Sequence, residues 1–391
     1  MKRVCIVRLD YFPSEAHVYK NVRALASAGY RVDVICLRGE GEATRESYAS
    51  GTIYRLPIMR RRAGALRYVF EYLAFAVMAF FLLSFLTLRK RYRIVEVYNL
   101  PDFLVLAAVV PKFLGARVIL YLFDMMPELV SEQFNLRPDD WVMKVFYWLE
   151  RWCIALADRA IAVGPHDKAV REERGTPATK LAVVMNVPDE ELFGLASPAD
   201  TSDETFRLIT HGSLLKRYGI QTLIGAVPCL RGQIPNLEVT IVGTGEYAKE
   251  LQGLVARLGI EEQVRFAGWV PIEEMAAHIS RADVGVVPVL SSCLMPSKLF
   301  EYAALGKPVV ASAAPTIQAV FPDEAVLYFE PGNEEGLARC LVTLYRDAAL
   351  RVRLATRAQE ILRQHSWQRM RQVYVEIHDE LMCRGRDLKI E

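Results

Sequence analysis

The chain has 391 residues, 52% of them hydrophobic and 24% charged, with a formal net charge of +2. That length holds two cored domains, the composition argues against disorder, and the near-neutral balance gives no global field for nucleic acid. Seven cysteines stand singly without a CxxC pair and six histidines are equally dispersed, so no set has metal-ligand spacing.

The opening MKRVCIVRLDYFP has too short an apolar run for a signal peptide and predicts a first strand over Arg3–Arg8. A loop with Ser14, a helix near Ala16–Ala28, Gly29 and a strand over Arg31–Leu37 make a βαβ unit, hence a parallel sheet. Ligands bind such sheets at the carboxyl ends of the strands, which places the Asp10–Ser14 loop at a candidate site; a plain connection is the alternative. Leu73–Leu88 is apolar on every helical face but, at 16 residues, short of the ~20 that span a bilayer. Basic residues bracket it, Arg60, Arg61, Arg62 and Arg67 before and Arg89, Lys90, Arg91 and Arg93 after. Docking on an anionic membrane surface is the leading expectation for 60–93, with a buried core helix and a true span as alternatives. Strands follow over Ile94–Tyr98 and Ala116–Leu122. The second ends at Asp124, with Glu128 close behind; the two acids could hold sugar hydroxyls, or Asp124 could cap a helix while Glu128 faces water. Asp139–Ala157 predicts a long helix rich in Trp and Tyr, expected to lie in the core. Strands over Arg159–Val163 and Lys180–Val184 complete this half.

Residues 194–205, GLASPADTSDET, predict a linker. The βα rhythm then restarts. Strands over Arg207–His211, Glu238–Val242, Val264–Phe266 and Val284–Val287 end in Gly212-Ser213, Gly243-Thr244-Gly245, Gly268-Trp269 and Pro288. Such endings let backbone approach a ligand. Lys216 and Arg217 would add cations opposite a diphosphate, unless they simply face solvent. On the same sheet edge MPSKLFEYAALGKPVVAS predicts a loop ending at Pro296, a helix with Ser297 as its N-cap, and a strand at Val309-Val310. The helix start is an anion site. Lys298 in the first turn opposes the helix dipole, which suggests a bound anion, and Glu301 one turn on could accept from ribose hydroxyls. An ordinary strand-helix-strand unit with a local Lys–Glu pair stands beside that reading. From Asn333 the pattern is helical to about Cys383, with Ser366-Trp367 starting a last helix.

HGSLLKRYG (His211–Gly219), IVGTGE (Ile241–Glu246), VRFAGWV (Val264–Val270), PSKLFEYAALGKPVVAS (Pro296–Ser312) and HSW (His365–Trp367) resemble retaining glycosyltransferases of family 4. VCIVRLDYFP (Val4–Pro13), NLPDFLVLAA (Asn99–Ala108), DMMPE (Asp124–Glu128) and VVMNVPDEELF (Val183–Phe193) resemble the first domain of that family. The resemblance implies an α/β chain of GT-B architecture, two Rossmann-like domains facing across a cleft: an acceptor-side domain over 1–194, a donor domain over 195–365, and a helix over 366–391 packing back on the first. It implies that Glu301 holds the ribose. Lys298, Lys216 and Arg217 hold the diphosphate with amides near Gly212 and Ser213. Gly243, Gly245, Val270, Pro296, Ser297 and Leu299 line the donor, and Ser14, Asp124 and Glu128 lie on the acceptor side, with Asp124 near the transferred sugar. Departures from the family pattern are Cys293 for the first of two glutamates eight apart, Ser213 for an Arg, Tyr218 for a Lys, Phe123 for a His, and no glycine pair in the first loop.

The implied reaction is metal-independent transfer with retention from a nucleotide sugar, a UDP-sugar favoured over a GDP-sugar, with no other cofactor. Cations and a helix N-terminus would stabilise the leaving diphosphate. The apolar helix suggests a glycan or lipid-linked acceptor in surface-polysaccharide or lipopolysaccharide assembly, and a cytoplasmic protein peripheral on the inner face of the membrane. The rival expectations are a nucleotide-sugar 2-epimerase of the same architecture and a non-catalytic nucleotide-sugar-binding protein.

Overall fold

The computed structural model describes residues 2–59, 65–189 and 204–384. Arg60, Arg61, Arg62, the expected boundary at 194/195 and the residues after 384 lie outside the described residues. The chain forms two compact units, Met1–Met185 with Met370–Glu391, and Asn186–Arg369.

The first unit holds an eight-stranded sheet built from β1 (Arg3–Tyr11), β2 (Arg31–Leu37), β3 (Arg45–Tyr48), β4 (Gly51–Leu56), β5 (Ile94–Tyr98), β6 (Arg117–Leu122), β7 (Arg159–Ala162) and β8 (Leu181–Val183). Their order is β3-β4-β2-β1-β5-β6-β7-β8, and every pair except β3–β4 is parallel. β5, IVEVY, is buried along its whole length, as expected for a strand covered on both faces. The antiparallel β3 was not foreseen; RESY is exposed and charged and carries no strand alternation.

The second unit holds a six-stranded parallel sheet of β9 (Phe206–His211), β10 (Leu237–Val242), β11 (Val264–Gly268), β12 (Val284–Val287), β13 (Val309–Ser312) and β14 (Leu327–Phe329). The order β11-β10-β9-β12-β13-β14 is that of a doubly wound dinucleotide-binding fold. Its order reverses between β9 and β12, which sets the ligand crevice at their carboxyl ends.

Two expectations about helices are corrected. The apolar helix is longer than its sequence pattern, Ala65–Lys90, and an 18-residue window within Val69–Lys90 has a mean hydropathy of 2.2, long and apolar enough to cross a membrane by length and composition. One side of it packs into the core through Phe75, Ala79 and Leu83, all fully buried, while Phe70, Phe81 and Leu88 are mostly exposed. The helix Trp141–Leu156 buries Met143, Glu150, Cys153 and Ile154 but not its tryptophans; Trp141 is 76% exposed. Its tryptophans stand opposite the residues that reach the core, so aromatic content alone misplaced them.

The last helix, Trp367–Arg384, joins the first unit through a buried polar latch. Tyr374 Oη lies 2.8 and 2.9 Å from the two carboxylate oxygens of Glu96 on β5, and His378 Nε2 lies 3.0 Å from the same group. All three side chains are fully buried.

Candidate functional site

In the second unit the helix Ser297–Ala304 is fixed against the sheet by its own Tyr302. Gly285 on β12 makes the space: a Cβ there would lie 2.3 Å from the Tyr302 ring. Tyr302 Oη then reaches the carbonyl of Ile209 on β9 at 3.3 Å. The helix is thereby held over the reversal in strand order, with its first turn at the carboxyl ends of β9 and β12.

The expected cap is corrected. Pro296, extended at φ −72° and ψ 124°, takes the N-cap position, so Ser297 is already helical and its oxygen does not close the first turn. No side chain caps the first turn; the amide of Leu299 donates to Pro296 O at 3.2 Å, which leaves those of Ser297 and Lys298 for a ligand. Lys298 is only 5% exposed, and its Nζ has no hydrogen-bond partner among the described residues. It lies 5.5 Å from the centre of the Tyr218 ring. Burial pulls the Lys298 ammonium down to about 8, against the opposing pull of Glu301. A Cβ on Gly212 would lie 3.9 Å from Lys298 Cε, which puts the Lys298 side chain beside the β9 loop.

His211 joins this group, and the sequence had not flagged it. Its Nε2 lies 3.3 Å from Glu301 Oε2, and its ring meets Tyr302 edge-on at 5.2 Å. Burial, aided by the Lys298 charge, holds His211 down at about 3, so it is neutral at ordinary pH. The usable signal was the polar His at the end of an apolar strand.

The strand-end loops are tied together through glycines. Gly212 N donates to Val242 O and Gly243 N to Gly268 O, so the loops after β9, β10 and β11 form a continuous backbone rim. Gly243 has φ +133°, and a Cβ on it would lie 1.9 Å from Gly212 O; one on Gly245 would lie 2.3 Å from Leu214 O. Ser213, Lys216 and Arg217 are exposed on this rim, with Arg217 5.7 Å from the Tyr218 ring. Val270 is half-buried beyond β11. Pro296 is buried, and Leu299 sends its side chain wholly into the core while its amide donates to Pro296 O. At the family-variant position, Cys293 is 9% exposed with Sγ 3.2 Å from Ser291 Oγ.

In the first unit the order of strands reverses between β1 and β5, and Asn99 follows β5. Its Oδ1 accepts from the amides of Phe123 and Asp124, and its Nδ2 donates to Asp124 O and to Asp102 Oδ1. Asn99 therefore holds the Asp124 loop in place. Asp124 does not cap the helix Met126–Phe134, whose N-cap position is Met125. Glu128 does not face water alone: it pairs with Arg174, which also reaches Glu150 at 3.1 Å. Ser14 is exposed and donates to Tyr11 O.

The model of the glycosyl transferases group 1 family matches residues 205–347, and that of a glycosyl transferase 4-like domain matches 14–186. The chain is thus made of a glycosyl transferase 4-like domain followed by a glycosyl transferases group 1 domain. It is 32% identical over 166 residues to the lipopolysaccharide core biosynthesis glycosyltransferase LpsE of Rhizobium meliloti, covering 42% of this chain and 46% of that protein. It is 28% identical over 193 residues to the amylovoran biosynthesis glycosyltransferase AmsK of Erwinia amylovora, covering 47% of each. The chain thus spans about half the length of the curated relatives it matches. Among solved structures, a sucrose-phosphate synthase of Thermosynechococcus elongatus superposes with a TM-score of 0.79 at 21% identity, covering 98% of this chain and 100% of that one. Anabaena HepE in complex with UDP gives 0.71 at 17% identity, covering 97% and 100%. These likenesses show that this chain has the GT-B fold, two Rossmann-like α/β domains.

Proposed function

We propose that this protein transfers a sugar from a nucleotide-sugar donor to a glycan or lipid-linked acceptor in surface-polysaccharide or lipopolysaccharide assembly, with retention and without a metal. One observation carries the reading: Lys298 is a buried cation without a hydrogen-bond partner among the described residues, at a helix start with no side-chain cap, one turn from Glu301. A buried charge in that state is costly unless an anion completes it. A diphosphate would meet the ammonium and the first-turn amides, and the attached ribose would reach Glu301. Lys216 and Arg217 add charge from the rim, while the backbone of Gly212, Ser213, Gly243 and Gly245 admits the donor closely.

Breaking the bond between sugar C1 and the diphosphate oxygen places new negative charge where these donors already point, which is where fixed dipoles act most strongly. The acceptor hydroxyl attacks C1 on the face the diphosphate leaves, and its proton passes to the departing phosphate oxygen. Asp124 and Ser14 belong to the acceptor side in this reading, as does Glu128 through its Arg174 pair.

The donor is inferred to be a UDP-sugar. The solved HepE complex holds UDP, whereas a mycobacterial relative matched over 75 residues is named for GDP-mannose; both nucleotides therefore belong in the test. The relatives' roles in lipopolysaccharide core and amylovoran biosynthesis support the acceptor class. The helix Ala65–Lys90 supports residence at the inner face of the membrane.

A thermal-shift screen of UDP-, GDP- and dTDP-sugars should find one that stabilises the protein, because a ligand of the folded state raises stability by mass action. The stabilising donor, incubated with a lipid-linked acceptor and EDTA, should then yield product with the donor's anomeric configuration. Binding without turnover of any acceptor, inversion, or formation of an epimer from donor alone would overturn the proposal.

A further inference from the structure

The helices Ala65–Lys90 and Trp141–Leu156 both pack on the short 3-10 segment Asp102–Ala108 and share one core with it. The first carries an outward apolar stripe through Phe70, Leu73, Val77, Phe81, Phe85 and Leu88. On the second, Trp141, Val145, Trp148 and Trp152 recur at spacings of four, three and four, which is a single helix face. They are 76%, 51%, 65% and 43% exposed. The rings of Trp148 and Trp152 run within 12° of parallel, 6.4 Å apart. Three exposed tryptophans on one stripe exceed what a solvated helix face carries and mark a partner surface.

The charges on the two helices say which partner. Both carboxylates are buried, Glu71 5% and Glu150 2% exposed, and both are engaged: Arg67 reaches Glu71, and Arg171 and Arg174 reach Glu150. Among the described residues of these helices, every exposed charge is a cation: Arg67, Arg89, Lys144 and Arg151. Lys144 and Arg151 lie along one edge of the tryptophan stripe, and Arg89 sits 4.4 Å from the ring of Phe85. Asp139 and Asp140 precede the second helix without joining its stripe. Tryptophan beside Lys and Arg suits the headgroup level of an anionic leaflet, whereas the centre of a protein–protein interface is depleted of charge.

We propose that the two stripes form one docking face of the first unit for an anionic bilayer surface, with Trp141, Trp148 and Trp152 at headgroup depth. The helix Ala65–Lys90 docks in the plane and does not span, since a span would strip Phe75, Ala79 and Leu83 from the core they fill. The inference rests on the membrane-surface reading of Ala65–Lys90 and adds a second element to it.

The chain's five tryptophans supply the probe. In a Trp269→Phe background, which removes the exposed tryptophan of the second unit, the full-length protein is mixed with phosphatidylglycerol/phosphatidylcholine vesicles containing brominated lipid. Co-sedimentation and strong quenching of the remaining fluorescence are expected, with both lost in phosphatidylcholine alone and in high salt. The triple variant Trp141→Ser, Trp148→Ser, Trp152→Ser should bind at least tenfold more weakly. Lys144→Gln with Arg151→Gln should weaken binding roughly thirtyfold, because each interfacial cation contributes about 1 kcal/mol and 1.4 kcal/mol is tenfold. Binding without quenching would overturn this inference and leave docking through Ala65–Lys90 standing. No binding at all would overturn both. A vesicle-free dimer that shields the tryptophans, with no quenching on vesicles, would assign the face to a second copy and overturn it too. If the triple variant fails to fold, quenching of the parent decides.

Discussion

Lys298 is only 5% exposed, with the Tyr218 ring and Glu301 near its ammonium, and that burial has a measurable consequence. With its acidity raised so that it titrates near 8, the free enzyme loses the cation in mildly alkaline solution. The pH profile of kcat/KM, which reports the free enzyme, is expected to fall above about pH 8. Lys298→Arg should keep its charge and shift that alkaline limb out of range, even if the larger head lowers the plateau. A limb unchanged in Lys298→Arg would assign it to another group. Stability runs the other way. Between about 8 and the usual 10.5 the unfolded chain holds a proton that the native Lys298 has released, so this residue's contribution to stability rises with pH across that window. At this scale Lys298 and Glu301 were legible, because a cation in a helix's first turn with a carboxylate one turn on is a local pattern. The Ser297 cap was misread because Pro296 starts the helix one residue early. His211 was missed because its meeting with Glu301 joins a strand end to a helix 90 residues away in the chain.

The helix Ser297–Ala304 owes its position to a missing side chain. Gly285→Ala would press a methyl into the Tyr302 ring, since the added Cβ would stand 2.3 Å from it. The expected loss is about 1–3 kcal/mol of stability, the usual cost of overpacking a core, together with a smaller donor-induced rise in Tm. Loss of stability with the donor shift intact would show that Tyr302 packs the fold without placing the site. Pairing Gly285→Ala with Tyr302→Leu, which makes room for the methyl, should recover part of the stability. Elements were the most legible level of this chain. Buried parallel strands such as β5 and β12 are nearly continuous apolar runs, which the sequence displays directly. Helix orientation was less so: Trp141–Leu156 carries apolar residues both inward and outward, and only the fold tells which set meets the core.

Across the whole molecule, the chain's final helix belongs to the unit formed by its beginning. The latch between them is a buried carboxylate, Glu96, which accepts from Tyr374 Oη and lies 3.0 Å from His378 Nε2. Tyr374→Phe removes a donor and leaves that carboxylate undersatisfied, at a cost of about 1–3 kcal/mol. Thermal unfolding should show the loss in the first unit, with the donor-induced shift of the second preserved. An unaffected Tm would mean that the helix is held by its apolar face alone. The two-unit plan itself was visible as a βα rhythm that stops near residue 190 and restarts near 206, and the return of the last helix was implied by family resemblance. The Glu96–Tyr374 pairing was not legible, since 278 residues separate its partners.

The proposed chemistry turns on charge held ready for a departing diphosphate. Its most direct test is the steady-state kcat/KM for the nucleotide-sugar donor that the thermal-shift screen selects, in Lys298→Ala against the parent protein. A fall of about 10²–10³-fold is predicted, the range that follows removal of one preorganised donor to developing negative charge. A variant that transfers sugar at the parent's rate would contradict it.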